Sequence, residues 1–221
     1  MRTTTLLFAG LFFAVLTTNA QRITYGVGAG LSQYKVSGPI AAGLDDVVNL
    51  TGGLVTTAAV SGVYAGGFAN IALSNHLSVE PGLYYTSKGY QLGGSYSLKN
   101  IPLLSTGAST QLRVNYIDMP VLIKANYNGL QVFAGPQLSY RTHASLHTRA
   151  SIVGFNLYNH KTDVSALFNP LDVALTGGVA YQFANGLRLT AAYERGLTNI
   201  DASRAVSSYH QGLKLGAAVS F

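Results

Sequence analysis

Cysteine is absent from the 221 residues, which excludes disulfides, thiolate metal sites and acylation of a lipoprotein cysteine. Charge is also scarce. Asp, Glu, Lys and Arg make up 10% of the chain, against roughly 25% in ordinary soluble domains, so a water-soluble protein of this size would lack the charge to coat its surface. Long apolar runs are missing after residue 20, and none approaches the roughly 20 apolar residues of a spanning helix. A chain with neither a charged coat nor a spanning helix has one route into a bilayer. That route is a closed β-barrel, which satisfies every backbone polar group internally.

What is present begins with the N-terminus. Met1-Arg2 leads into an apolar segment, Leu6 to Leu16, and small residues at Thr18 and Ala20 precede Gln21. This pattern predicts a secretory signal peptide over residues 1–20, cleaved between Ala20 and Gln21, and one barrel domain over residues 21–221. Removing Arg2 leaves 13 basic against 8 acidic side chains, a net charge of +5.

The stretch from Val114 to Tyr140 organises the rest. Before Asn128-Gly129 the apolar residues occupy odd positions (Ile117, Met119, Val121, Ile123, Ala125, Tyr127), and after it they occupy even ones (Leu130, Val132, Ala134, Leu138, Tyr140). A period of two makes these strands. A two-residue Asn-Gly loop pairs Tyr127 with Leu130 and Ile123 with Ala134, which puts both apolar sets on one face. Each arm alternates for about the 9 to 11 residues that a tilted membrane-spanning strand requires.

Taken in order, the chain predicts further strands at Ile23–Val36, 59–73, from Leu77 to about Lys88, at Leu171–Phe183, 187–194, and from Leu213 to Phe221. In the first strand Gly26, Gly28 and Gly30 lie opposite the larger apolar residues, as a narrow interior requires. They lack the spacing and following helix of a dinucleotide loop. Ser74-Asn75-His76 is read as a short turn that pairs Leu73 with Leu77. At Ala184-Asn185-Gly186 a two-residue loop would put Arg188 on the apolar face, so a three-residue loop with Gly186 left-handed is expected. Residues 38–54, 90–112, the segment from Arg141 to Pro170, and Thr198 to His210 are read as long loops. Eight strands, three short turns and four long loops in alternation predict an all-β, eight-stranded antiparallel up-and-down transmembrane barrel of the bacterial outer membrane. Tyr25, Tyr127, Tyr181, Phe183 and Phe221 fall at the short-turn rim. Tyr85, Tyr140 and Tyr193 fall toward the long-loop rim. Two girdles of this kind fit two membrane interfaces.

The run Val114-Asn115-Tyr116-Ile117-Asp118-Met119-Pro120-Val121-Leu122-Ile123-Lys124, followed by Val132-Phe133-Ala134-Gly135-Pro136, resembles the central motif of the PorT-type outer-membrane β-barrel proteins of Bacteroidota. The segment from Val79 to Gly89 and the segment Tyr193 to Ile200 are similar to other motifs of that family. Asp118 stands where the family has Glu, and Glu80 precedes Pro81 where the acid more often follows the proline. The resemblance implies the fold and the location. It also implies that the terminal aromatic, Phe221, serves as the signal read by the barrel assembly machinery. The namesake's role in protein secretion does not transfer on fold resemblance alone.

The inward set contains Glu80, Lys88, Asp118, Lys124, Arg141, Asp172, Arg188, Glu194 and Lys214. In a narrow barrel these charges are expected to pair, since an unpaired buried charge is costly. In the hairpin register Tyr116 lies opposite Arg141 and Asp118 opposite Ser139, so an Asp118–Arg141 ion pair is expected between diagonal neighbours. A structural network that plugs the lumen is favoured over an ion-conducting pore, because eight strands leave an interior about filled by side chains. His143 and Ser145 fall where strand becomes loop, with Asp163 the nearest acid, so they make a poor hydrolase constellation. His143, His147 and His160 lack a carboxylate at ligand spacing and read as solvated residues rather than a metal site. No cofactor, metal or catalytic residue is expected, and nothing suggests nucleic-acid recognition. The expected partners are outer-membrane lipid and lipopolysaccharide, whose phosphates the basic Arg149 and Lys161 would favour, and an envelope protein met through the long loops. The reading is a non-catalytic envelope or interaction scaffold. The alternatives are a secretion-machine subunit, a lipid A-modifying enzyme, and a soluble ligand-binding barrel with its apolar face turned inward.

Overall fold

The computed structural model describes residues 22–37, 55–97, 105–152, 155–165, 169–199 and 209–221. The expected signal peptide, its cleavage site between Ala20 and Gln21, and the loop read at 38–54 lie outside the described residues. The strands are β1 (Ile23–Ser37), β2 (Val55–Ala72), β3 (Leu77–Ser97), β4 (Ser105–Tyr127), β5 (Leu130–Ile152), β6 (Phe155–Asp163), β7 (Leu171–Gln182), β8 (Leu187–Gly196) and β9 (Tyr209–Ser220). Every pairing is antiparallel. Closure is made by β1, which pairs with β2 on one edge and β9 on the other. Eight strands form the closed barrel, and β6 hangs on the outer part of β5.

The turns follow the parity of the apolar residues. Tyr127 pairs with Leu130 and Ile123 with Ala134 across Asn128-Gly129, with positive φ at both loop residues (48° and 86°), as a tight hairpin loop of this twist requires. Leu73 and Leu77 close the Ser74–His76 turn through Leu73 N–H donating to Leu77 O at 2.9 Å. Phe183 N–H donates to Leu187 O at 2.8 Å, and Gly186 takes φ +86°, so the three-residue loop forms and Arg188 stays inside.

Two expectations at the long-loop rim are corrected. Residues 90–112 are strand for most of their length, because β3 continues to Ser97 and β4 begins at Ser105. Within the segment from Arg141 to Pro170, β5 is prolonged to Ile152 but pairs there with the additional strand β6, not with the strand that begins at Leu171. These polar extensions stand clear of the lipid-facing belt, so no alternating apolar face marks them. At Thr142 a one-residue bulge separates the rung Tyr116–Arg141 from Asn115–His143, and it re-aims the strand where it leaves the belt.

The large apolar side chains face outward. Val132 is 55% exposed, Leu175 53% and Leu215 63%, with Val121 half-buried on the same face. The buried set is instead largely polar and charged, which rules out the inverted, soluble barrel. From Leu130 to Tyr140 the outward face of β5 spans roughly 26 Å along the bilayer normal, at about 3.4 Å per residue and a tilt of about 40°. That matches an apolar band of about 25 Å. All eight aromatic residues assigned to the two girdles are exposed. Leu175 pairs with Pro136, midway up this belt. Leu175→Arg is therefore expected to lower stability in phospholipid vesicles by about 2–4 kcal/mol, read from urea titration. An unchanged midpoint would place this face in water.

Candidate functional site: the charged lumen

The side chains that fill the axis come from strand positions alternating with the lipid-facing ones. They form two clusters stacked along the barrel. Nearer the short turns, Glu80 on β3 accepts from Lys124 Nζ at 2.6 Å and from both terminal nitrogens of Arg188 at 2.6 and 3.2 Å. The Arg188 guanidinium also stacks 4.2 Å from the Phe68 ring centroid. One carboxylate thus holds two cations from β4 and β8, and the fork geometry of arginine makes the second contact bidentate.

Nearer the long loops, Glu194 on β8 is the hub. It takes Lys88 Nζ at 2.5 Å, Lys214 Nζ at 2.8 Å and the Tyr34 hydroxyl at 2.8 Å. Asp118 faces the same two ammonium groups, Lys214 at 3.2 Å and Lys88 at 3.9 Å. Two carboxylates and two lysines alternate around a square that ties β3 and β4 to β8 and β9 across the barrel. Lys88 also lies between two aromatic faces, 5.0 Å from the Tyr34 centroid and 4.8 Å from that of Tyr116, so its charge is met from all sides. Lys88, Asp118 and Glu194 are fully buried. An ion pair removed so far from water is held at full strength only while every partner is present.

Between the clusters, Lys214 Nζ reaches Gln137 Oε1 at 3.4 Å, and the same oxygen accepts from Thr176 at 3.3 Å. A cavity of about 70 Å³, lined in part by Tyr64, Tyr84, Gln137 and Lys214, remains here. It has room for a few waters. Small residues make way for the large ones. A Cβ added at Gly212 would lie 2.4 Å from Cδ1 of Tyr34, so glycine at that position lets the Tyr34 ring reach Glu194.

The expected Asp118–Arg141 pair does not form. The register places the two residues as expected, but Asp118 points across the lumen to lysines, and Arg141 makes no ion pair among the described residues. Asp172 instead accepts a short hydrogen bond from the Thr198 hydroxyl. His210, read as the end of a loop, is a fully buried residue of β9 whose Nε2 lies 3.0 Å from the Tyr116 hydroxyl. Its parity with Lys214 and Gly216 was the signal that could have found it.

Outside the lumen, His143 Nδ1 lies 3.6 Å from Asp163 Oδ2. Hydrogen bonds from Ser165, followed by the electrostatic influence of the nearby His143 and Arg141 side chains, hold the Asp163 carboxyl below the usual carboxylate range. Ser145 is directly opposite Asp163, but among the described residues no hydrogen bond joins it to His143, so the three do not assemble into a nucleophilic triad. No group of three metal-ligating side chains occurs among the described residues. Phe221 is 75% exposed and exchanges backbone hydrogen bonds with Tyr25 at 2.9 and 3.2 Å, at the seam where the barrel closes.

An apolar exterior, two aromatic girdles and an interior of paired charges define an integral outer-membrane β-barrel protein. The sequence matches the outer membrane protein beta-barrel domain over residues 17–202, and the chain belongs to that family and resides in the outer membrane. No curated protein sequence matches it. Among solved structures the chain is similar to Neisserial surface protein A, with 14% identity and a TM-score of 0.45 over 89% of this chain and 97% of that one. It is also similar to Ail, the attachment invasion locus protein of Yersinia pestis in complex with the heparin analogue sucrose octasulfate, with 10% identity and a TM-score of 0.44 over 90% and 99% of the two chains. OprG of Pseudomonas aeruginosa aligns at 9% identity and a TM-score of 0.40 over 92% and 98%.

Glu194→Ala removes one carboxylate from three donors and leaves two buried ammonium groups to a single acid. It is expected to cost about 3–5 kcal/mol. Arg141→Gln, which breaks no ion pair, is expected to stay within about 0.5 kcal/mol. Urea midpoints of the heat-modifiable gel shift compare the two. Equal losses would contradict the cross-lumen assignment.

Proposed function

We propose that this protein is a non-catalytic scaffold of the outer membrane. The barrel anchors it, the ion-paired lumen closes it to solutes, and the strands prolonged beyond the bilayer display a surface to an envelope partner. The observation that carries this reading is the filled axis: fully buried Lys88, Asp118 and Glu194 bridge opposite walls, where a conducting barrel would hold water. Export through a signal peptide cleaved between Ala20 and Gln21, and assembly directed by Phe221, belong to the same reading. Within the family, the Tyr116-x-x-x-Pro120 hairpin supports a PorT-type member. That resemblance also favours a second reading, a subunit of a protein-secretion machine.

Reconstitution of the full barrel into planar bilayers tests the proposal, with the gel shift confirming that it has folded. Wild type is expected to give no sustained channel steps. An ohmic conductance like that of an open porin would overturn the closed-scaffold reading. Lipid A deacylation that is lost in Ser145→Ala would overturn the absence of catalysis.

A further inference from the structure

The described acids are distributed unevenly. Glu80, Asp118, Asp172 and Glu194 are buried in the lumen, and of the five only Asp163 is exposed. Among the described residues the outward face of the long-loop rim is otherwise basic. On one side Lys35 of β1 is opposite Gln211 of β9, which is opposite Arg195 of β8. Both bases are exposed, and their backbones are about 10 Å apart at roughly 4.8 Å per strand. Arg195 is two residues beyond Tyr193, an exposed member of the upper girdle whose hydroxyl bonds Gln211.

A second patch covers the opposite wall. Arg113 of β4 is opposite Ser145, and His147 is opposite both Gln111 and Lys161. The other face of these strands is fixed inward by the buried cluster Val114, Tyr116 and Ala144, with Leu112 and Val164 packed on it. Alternation therefore turns Arg113, His143, His147 and Lys161 outward. Arg113 and His143 sit within four residues of the rung Ile117–Tyr140, where the apolar belt ends, and the rung His147–Lys161 stands roughly 18 Å beyond it along the bilayer normal, at about 3.4 Å per residue and a tilt of about 40°. Asp163, set against His143, leaves the patch basic overall.

Two basic patches on opposite walls, each a few residues above the tyrosine girdle, lie where lipid headgroups meet the barrel. We propose that this rim binds the phosphate groups of outer-leaflet lipid, with Lys35 and Arg195 forming one site and Arg113 and His143 the other. The occupant is a lipid rather than a soluble polyanion, because the bases adjoin the exposed apolar belt and a headgroup bound there keeps its acyl chains on Leu213, Leu138 and Ile117. Guanidinium and ammonium groups supply the charge-assisted hydrogen bonds that phosphate oxygens accept. The inference goes beyond the scaffold reading and needs only the membrane location, so a conducting lumen would leave it intact.

Native mass spectrometry of the full barrel in detergent tests it, with diphosphorylated lipid A and phosphatidylcholine as the two probes. Wild type is expected to retain lipid A preferentially, with retention falling as salt rises. The double variant Lys35→Gln/Arg195→Gln and the single variant Arg113→Gln are expected to weaken it about fivefold for each charge removed. Arg22→Gln at the opposite rim is expected to leave it unchanged. All four targets are exposed, and the gel shift verifies that each variant folds. Equal retention of the two lipids, or equal loss in Arg22→Gln, would overturn the proposal. Displacement of lipid A by an equal concentration of inorganic phosphate would assign the site to a free anion and overturn the lipid assignment.

Discussion

Charge neutralisation across the barrel axis is the constraint on which the rest of the structure depends. With lipid on the outside, every charged side chain within the apolar belt must turn inward, and inside an eight-stranded cylinder there is too little space for each to keep its own water. The solution is to share partners: Glu80 serves two cations, while Glu194 and Asp118 share Lys88 and Lys214. Because the partners come from opposite walls, the network also fixes the shape of the cross-section. Replacing such a network by apolar groups is not always unfavourable. In this chain it also ties opposite walls together across the axis.

The same inside-out distribution explains features that look unrelated in the sequence. Glycine recurs on the inward face because rings such as Tyr34 and Tyr64 lean over neighbouring strands. The Tyr64 hydroxyl would lie 2.0 Å from a Cβ at Gly216. Large hydrophobic residues are left exposed, which would be a liability in water and is a requirement in lipid. The low charge content reflects this division, with described acids confined to the axis apart from Asp163 and the exposed bases lying outside the apolar belt.

Much of the fold was legible in the sequence because one face of each spanning strand must be apolar. Parity alone decided the Ala184–Gly186 loop and kept Arg188 inside. What lay beyond the bilayer was not legible. In the outer halves of β3 and β4, Gly93-Gly94 and Ser105 to Gln111 are mostly small or polar residues with no alternating apolar signal, so they read as loop. The inward residues of the charge network were identified by parity, but their partners were not. Reasoning from adjacent strands finds neighbours such as Glu80 and Lys124, whereas a lysine side chain is long enough to cross a narrow barrel, and that reach joined Asp118 to Lys214 instead of Arg141.

The central claim is that hydrocarbon surrounds the barrel and charge fills it. The absence of native cysteine makes single-cysteine spin labelling direct. Nitroxides at Leu175→Cys and Val132→Cys, in the full barrel folded into phospholipid vesicles, should collide readily with dissolved oxygen and hardly at all with a water-soluble nickel chelate. Free access of the nickel chelate to both positions, with oxygen contact no greater than at the exposed turn residue Asn128→Cys, would contradict the account.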